Sequence, residues 1–165
     1  MSKEIQFEQI YHHNLKKVFA YFSACFNSNV AEDLSQTVFM KVWNSINSVM
    51  FKMPDNTNAW VFRIAVNVKN DHLRYICKNP DCAEITDKDD AVNEAENIDL
   101  SISVRRAFSM LNIKEKEVLM LKSYGFSSRE IGQILNVSAS TIRSRISSAK
   151  GSFKKYLEKC GVKID

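Results

Sequence analysis

Only four glycines and two prolines punctuate the 165 residues of this chain. A backbone with so few breakers is committed to long helices. The apolar residues agree: Phe7, Ile10, Tyr11, Leu15, Val18, Phe19 and Phe22 recur at helical spacing and make one broad stripe. "FNSN" interrupts that pattern. A second helix is expected in "NVAEDLSQTVFMKVW", capped by Asn29 with Glu32 as its reciprocal partner. Leu34, Val38 and Val42 form one stripe there, and Phe39, Trp43 and Ile46 form a second beside it. Asp33, Gln36, Thr37 and Lys41 lie toward the other side. "MFKMPDNTN" then supplies a loop into a third helix, so the first 78 residues are expected to be a helical bundle.

That third helix, "AWVFRIAVNVKNDHLR", is apolar almost all round. Yet Arg63, Asn67, Asn70 and Arg74 recur at offsets of zero, four, seven and eleven, one line down one face. Asn67 and Asn70 offer both donors and acceptors, and Arg63, Lys69 and Arg74 offer charge. Two quieter readings stand beside this one. Arg63 can pair with Asp71 about two turns on, and Trp60 can pack inward as a core residue.

The C-terminal part carries a sharper signal in "SSREIGQILNVSASTIRSRISSAK". Ser127 and Glu130 make a capping-box pair opening a short helix whose buried side is Ile131, Ile134 and Leu135. Gly132 leaves room for another helix to approach. Asn136 suits the left-handed position that ends a helix, and Ser138 can cap the next one. The inner stripe of that next helix is Ile142, Ile146, Ala149, Phe153 and Leu157. Outward stand Ser140, Thr141, Arg143, Ser144, Ser147 and Ser148, with Lys150 following. Two helices joined by a tight turn, the second basic and hydroxyl-rich outside, make the helix-turn-helix pattern that places such residues in a DNA major groove. The competing reading is a solvated basic helix in a small bundle.

Net charge is +4, but the mildness is a cancellation. Residues 1–78 carry +3, residues 79–100 carry −7 and residues 101–165 carry +8. Two basic blocks on an acidic tether, "NPDCAEITDKDDAVNEAENIDL", point to polyanion-binding domains joined by a mobile or extended linker. The other classes fall away. No apolar run approaches the roughly 20 residues of a membrane span, and "MSKEIQFEQI" has no apolar signal-peptide core, so a cytoplasmic location is expected. Cys25, Cys77, Cys82 and Cys160 are scattered and read as reduced thiols, because no second ligand pair completes a zinc pattern around Cys77, Cys82 and His72. His12 and His13 are neighbours and point about 100° apart on a helix. No glycine-rich phosphate loop or nucleophile–base motif is present, so neither catalysis, cofactor, metal nor small-molecule substrate is expected.

From Phe7 to Leu157 the chain resembles the bacterial RNA polymerase sigma factors of the extracytoplasmic-function (ECF) type, within the sigma-70 family. The resemblance rests on "AEDLSQTVFMKVW", "WVFRIAVNVKNDHLR" and "SSREIGQILNVSASTIRSRISSAK", in the family's order around an acidic linker. It implies an all-α protein of two small helical domains: region 2 over residues 1–78, the flexible linker over 79–100, and region 4 over 101–165. Region 2 would dock on the clamp helices of the polymerase's largest subunit through Asp33, Gln36, Thr37, Met40 and Lys41. Thr37 departs from the acid often found there. Phe39 and Trp43 match the family's packing aromatics and are expected to be core.

The resemblance also assigns the row. The helix from Trp60 to Arg74 and the loop before it would handle the promoter −10 element as it melts, through Phe51, Trp60, Arg63, Asn67, Lys69, Asn70 and Arg74. Region 4 would read the −35 duplex through Arg129, Ser140, Thr141, Arg143, Ser144, Arg145, Ser147, Ser148 and Lys150. Ser148 stands where many members have arginine, and Asn112 where proline is common. The linker would thread toward the RNA exit path. Implied partners are core RNA polymerase, promoter DNA and an anti-sigma factor, often membrane-bound in the family. Two alternatives remain at this point: a stand-alone helix-turn-helix regulator, and a sigma-like chain that only competes for polymerase.

Overall fold

The computed structural model describes residues 1–82 and 98–164, with side chains described for 1–81 and 102–164. The chain divides into two compact units, Met1–Ala91 and Val92–Asp165. Every regular element among the described residues is helical.

The first unit packs three long helices, α1 (Lys3–Ser23), α2 (Ser28–Asn47) and α3 (Thr57–Lys78), followed by a 3₁₀ turn at Pro80–Cys82. Its core is Val18 and Phe22 of α1, Leu34, Val38, Phe39, Val42 and Ile46 of α2, and Val61, Phe62, Ala65 and Val66 of α3. Burying each large side chain contributes about 1.5–3 kcal/mol. Phe39 meets Tyr11 edge-on at 4.8 Å and Trp43 meets Phe7 at 5.2 Å, so both aromatics of α2 pack on α1. Tyr21, outside the sequence stripe, is fully buried and stands perpendicular to Phe62 at 5.9 Å. Asn14 is buried too; its amide donates to the Ile10 carbonyl and to Asn58 Oδ1, tying α1 to the first turn of α3.

One cap differs from expectation. Asn27, not Asn29, caps α2, its side chain accepting from the Val30 N–H at 2.9 Å. The helix therefore starts two residues earlier, which puts Val30 at the third position and leaves no capping box with Glu32. Asn56 caps α3 by accepting from Ala59 N–H.

The second unit contains α4 (Ile98–Ser109), α5 (Ile113–Ser123), α6 (Ser128–Leu135) and α7 (Ala139–Lys159). Because α4 begins at Ile98, helix starts inside the stretch read as linker; the rest of that expectation, over residues 83–97, lies outside the described residues. The core is Ala107, Leu111, Val118, Leu121, Phe126, Ile131, Ile134, Ile142, Ile146 and Ala149. Asn112, where the family commonly has proline, caps α5 in a reciprocal box with Glu115. Glu115 also accepts from the Ser152 hydroxyl at 2.9 Å, which joins that cap to α7.

Candidate nucleic-acid interface

In the second unit the backbone fixes the presentation of α7. Ser127 and Glu130 cap α6 reciprocally, and Asn136 ends it at φ 57°, the left-handed conformation its short amide tolerates. The Val137 N–H then bonds back to the Gly132 carbonyl at 2.9 Å. A Cβ at position 132 would lie 2.6 Å from the Val137 carbonyl oxygen. What approaches Gly132 is thus the turn itself, rather than the body of another helix. Ser138 caps α7, accepting from the Thr141 N–H.

From that start, Ile142, Ile146 and Ala149 are buried, while Ser140, Arg143, Ser144, Ser147, Ser148 and Lys150 are exposed. Thr141 and Arg145 are half-buried on the flank. Arg143 is therefore the most freely presented long donor of the helix's first three turns. Arg129 of α6 is exposed and lines an open groove of ≈ 480 Å³ with Gln133, Asn136 and Ser138.

In the first unit the α3 row is real. Arg63, Asn67 and Arg74 are exposed and Asn70 is half-exposed. Asp71 pairs with Arg74 at 2.7 Å, both side chains well exposed, and not with Arg63. Such an exposed pair contributes little, about 0–1 kcal/mol, and leaves Arg74 easy to redirect. Lys69 requires a correction. It is only 4% exposed, with its Nζ 5.9 Å from the Tyr21 ring centre, so it faces the bundle interior and does not join the row.

Trp60 and Phe51 are half-buried and lie against each other at 5.3 Å, so neither is plain core. Trp60 and Ile64 form the apolar part of an open groove of ≈ 390 Å³, with Lys41, Asn44, Ser45 and Asn67 as its polar part. No local sequence pattern joins these residues, because Lys41 and Asn67 sit on different helices. The fold brings a residue assigned to polymerase docking and one assigned to DNA into one groove. Along α2, Asp33, Gln36, Met40 and Lys41 are exposed on one face, Met40 at 66%. Thr37 is half-buried and its hydroxyl donates to the Asp33 carbonyl. The loop after α2 leaves Val49 and Met50 almost fully exposed.

Among the described residues no group of three His, Cys, Asp or Glu could hold a metal ion, and Cys77 and Cys160 are free thiols. No described helix is long and apolar enough to cross a membrane.

A helical bundle bearing amides and guanidinium groups beside an apolar-floored groove, with a helix-turn-helix unit in the same chain, is the build of a DNA-binding transcription protein. Residues 10–76 match Sigma-70 region 2 and residues 101–152 match Sigma-70 region 4. The chain belongs to the sigma-70 family of RNA polymerase sigma factors, in its ECF group. It is 27% identical over 137 residues to the RNA polymerase sigma factor SigZ of Bacillus subtilis (strain 168), covering 81% of this chain and 76% of that one. It is also 27% identical over 148 residues to the ECF RNA polymerase sigma factor SigW of the same strain, covering 79% and 77%. Among solved structures, the sigma factor RpoE in complex with the anti-sigma factor NepR from Bartonella quintana matches with a TM-score of 0.75 at 26% identity, over 93% of this chain and 97% of that one. CnrH, in complex with the cytosolic domain of CnrY, shares the fold with a TM-score of 0.64 at 18% identity, over 94% and 90%. Regions 2 and 4 in one chain mark a polymerase-directed promoter-recognition factor, and the stand-alone regulator is set aside.

Proposed function

We propose that the two units divide promoter recognition between them. The first docks on the polymerase clamp helices through the α2 face of Asp33, Gln36, Met40 and Lys41. It captures unstacked −10 bases along Arg63, Asn67, Asn70 and Arg74, with Trp60 and Phe51 as an apolar ledge. The second reads the −35 duplex through α7, where a bidentate Arg143–guanine pair would add about 1–3 kcal/mol of discrimination. Ser140, Ser144, Ser147 and Ser148 stay close to the helix and admit it to the groove. The polymerase carries the chemistry; this chain supplies selection and holds the strands apart.

The observation that carries the reading is the groove that joins Asn67 to Trp60. An exposed amide beside an apolar ledge suits a base out of its stack, which offers an edge to hydrogen-bond and a face to cover. RpoE's complex with NepR motivates an anti-sigma partner for this chain as well, one that covers the polymerase-docking face. A cytoplasmic location accords with that role.

The test is run-off transcription with sigma-free bacterial core polymerase over a pool of genomic fragments. The expected result is a set of defined transcripts that need both components, with shared −10 and −35 sequences upstream. Transcripts that survive Asn67→Ala together with Asn70→Ala at wild-type yield would remove the −10 assignment. Core binding without transcripts from any fragment would favour the competitor.

A further inference from the structure

The second half of α7 extends well past the side chains that would read base pairs. The helix has 21 residues, about 31 Å at 1.5 Å per residue. Its candidate −35 residues end at Lys150, and the major groove they would enter is about 12 Å wide. Beyond Lys150 stand Lys154, Lys155 and Lys159, all four exposed, with Glu158 the one acid from 149 to 159.

Their register is not arbitrary. Lys150 and Lys154 follow Arg143 by seven and eleven residues and lie on its line; Lys155 follows Ser144 by eleven and lies on that one. Lys150 with Lys154, and Lys155 with Lys159, are like charges four apart. Each such pair destabilises an isolated helix by roughly 0.2–0.5 kcal/mol. Among the described residues, none of Lys150, Lys154 and Lys155 makes an ion pair that would offset this. The sequence thus keeps an exposed lysine array, offset only by Glu158 at helical spacing from Lys154 and Lys155, and continuous with the side of the helix proposed to face the promoter. A polyanion running past that end of the groove removes the repulsion, and the phosphate backbone is one.

We infer that Lys154 and Lys155, continuing from Lys150, form a phosphate clamp on the DNA flanking the −35 element. It adds affinity and leaves sequence preference untouched. This rests on the reading of α7 as the −35 helix, and the test separates the two. Binding of the full chain is followed by fluorescence anisotropy from low to moderate salt. One duplex carries the −35 sequence recovered by run-off transcription; the other has that sequence scrambled. For Lys154→Gln with Lys155→Gln, the slope of log K against log salt becomes shallower by about 1.8 on both duplexes, about 0.9 for each phosphate released. The preference for the specific duplex stays at the wild-type ratio. Lys154→Arg with Lys155→Arg restores the slope, and circular dichroism at wild-type helicity accompanies each variant.

An unchanged slope on both duplexes for the glutamine variant overturns the clamp. So does a loss of polymerase affinity with no change in slope, which would assign the lysines to an acidic protein surface. Arg143→Ala reports on the other reading, and about 5- to 150-fold of preference should vanish with it. A preference that survives that change would overturn the placement of the clamp beside the −35 element, even where the lysine slopes shift.

Discussion

Lys69 and Asn70 are neighbours in the chain, yet one is buried in the bundle and the other reaches the surface. The difference was legible in the row itself: Lys69 is six residues from Arg63, nearly opposite the positions at four, seven and eleven. Because it sits inside, replacing it by methionine should keep promoter opening at the wild-type level and show its effect in first-unit stability instead. Permanganate footprinting and a urea titration read the two effects, and lost opening at full stability would return Lys69 to the DNA face. Tyr124 was not singled out in sequence, since nothing local marks a half-buried phenol. Burial pushes its hydroxyl up to about 12, from the usual 10. The folded state thus keeps a proton that the unfolded chain gives up first. The stability this supplies is complete below pH 10 and lost as pH rises through 12. Tyr124→Phe should therefore make the second unit's urea midpoint fall less between pH 9 and pH 11.5 than it does in the wild type.

At the scale of elements, the helices were readable because their stripes are long, and their starts less so because several residue types compete to cap. "FNSNVAEDL" offers Asn27, Ser28 and Asn29 in a row, and Glu32 made the last look best. The structure chooses Asn27, because Val30 and Ala31 then continue the helix while Ala31 reaches the core. Asn27→Ala should accordingly cost about 1 kcal/mol of first-unit stability, within the range of about 0.5–2 for such caps. Asn29→Ala should stay within about 0.5 kcal/mol, as surface changes do. A larger loss from Asn29→Ala than from Asn27→Ala, measured by thermal melting, would return the cap to Asn29. The α6–α7 pair was read almost residue by residue, since capping box, left-handed Asn136 and second cap are all local in sequence. The Asn14–Asn58 bond and the Lys41–Asn67 groove were not. They join residues 44 and 26 positions apart, and no local pattern encodes which helix faces meet.

For the whole molecule, two separate cores imply that damage is confined. Phe22 is fully buried in the first unit, so Phe22→Ala should remove about 3–5 kcal/mol there and abolish polymerase-dependent transcription. Affinity for a −35 duplex should persist, and its loss in the same variant would show that the units fold as one. The two basic blocks and the acidic stretch between them are visible in composition, whereas the proposed docking face, base groove and duplex reader needed the fold. The junction at Gly132 carries this furthest. Backbone meets backbone there, with no side chain between, and of the proposed reading residues of α7 only Ser140 and Thr141 reach back to the turn, through the Ser138 hydroxyl. On the proposed reading, promoter preference can accordingly drift by single replacements among Arg143, Ser144 and Ser147, generation after generation, on an inherited frame. Adding or deleting one residue in the turn offers no such gradual path, because it would swing the whole reading face at once. In a lineage descended from this chain, the spacing from Gly132 to Ser138 should be held constant while the letters beyond it diverge.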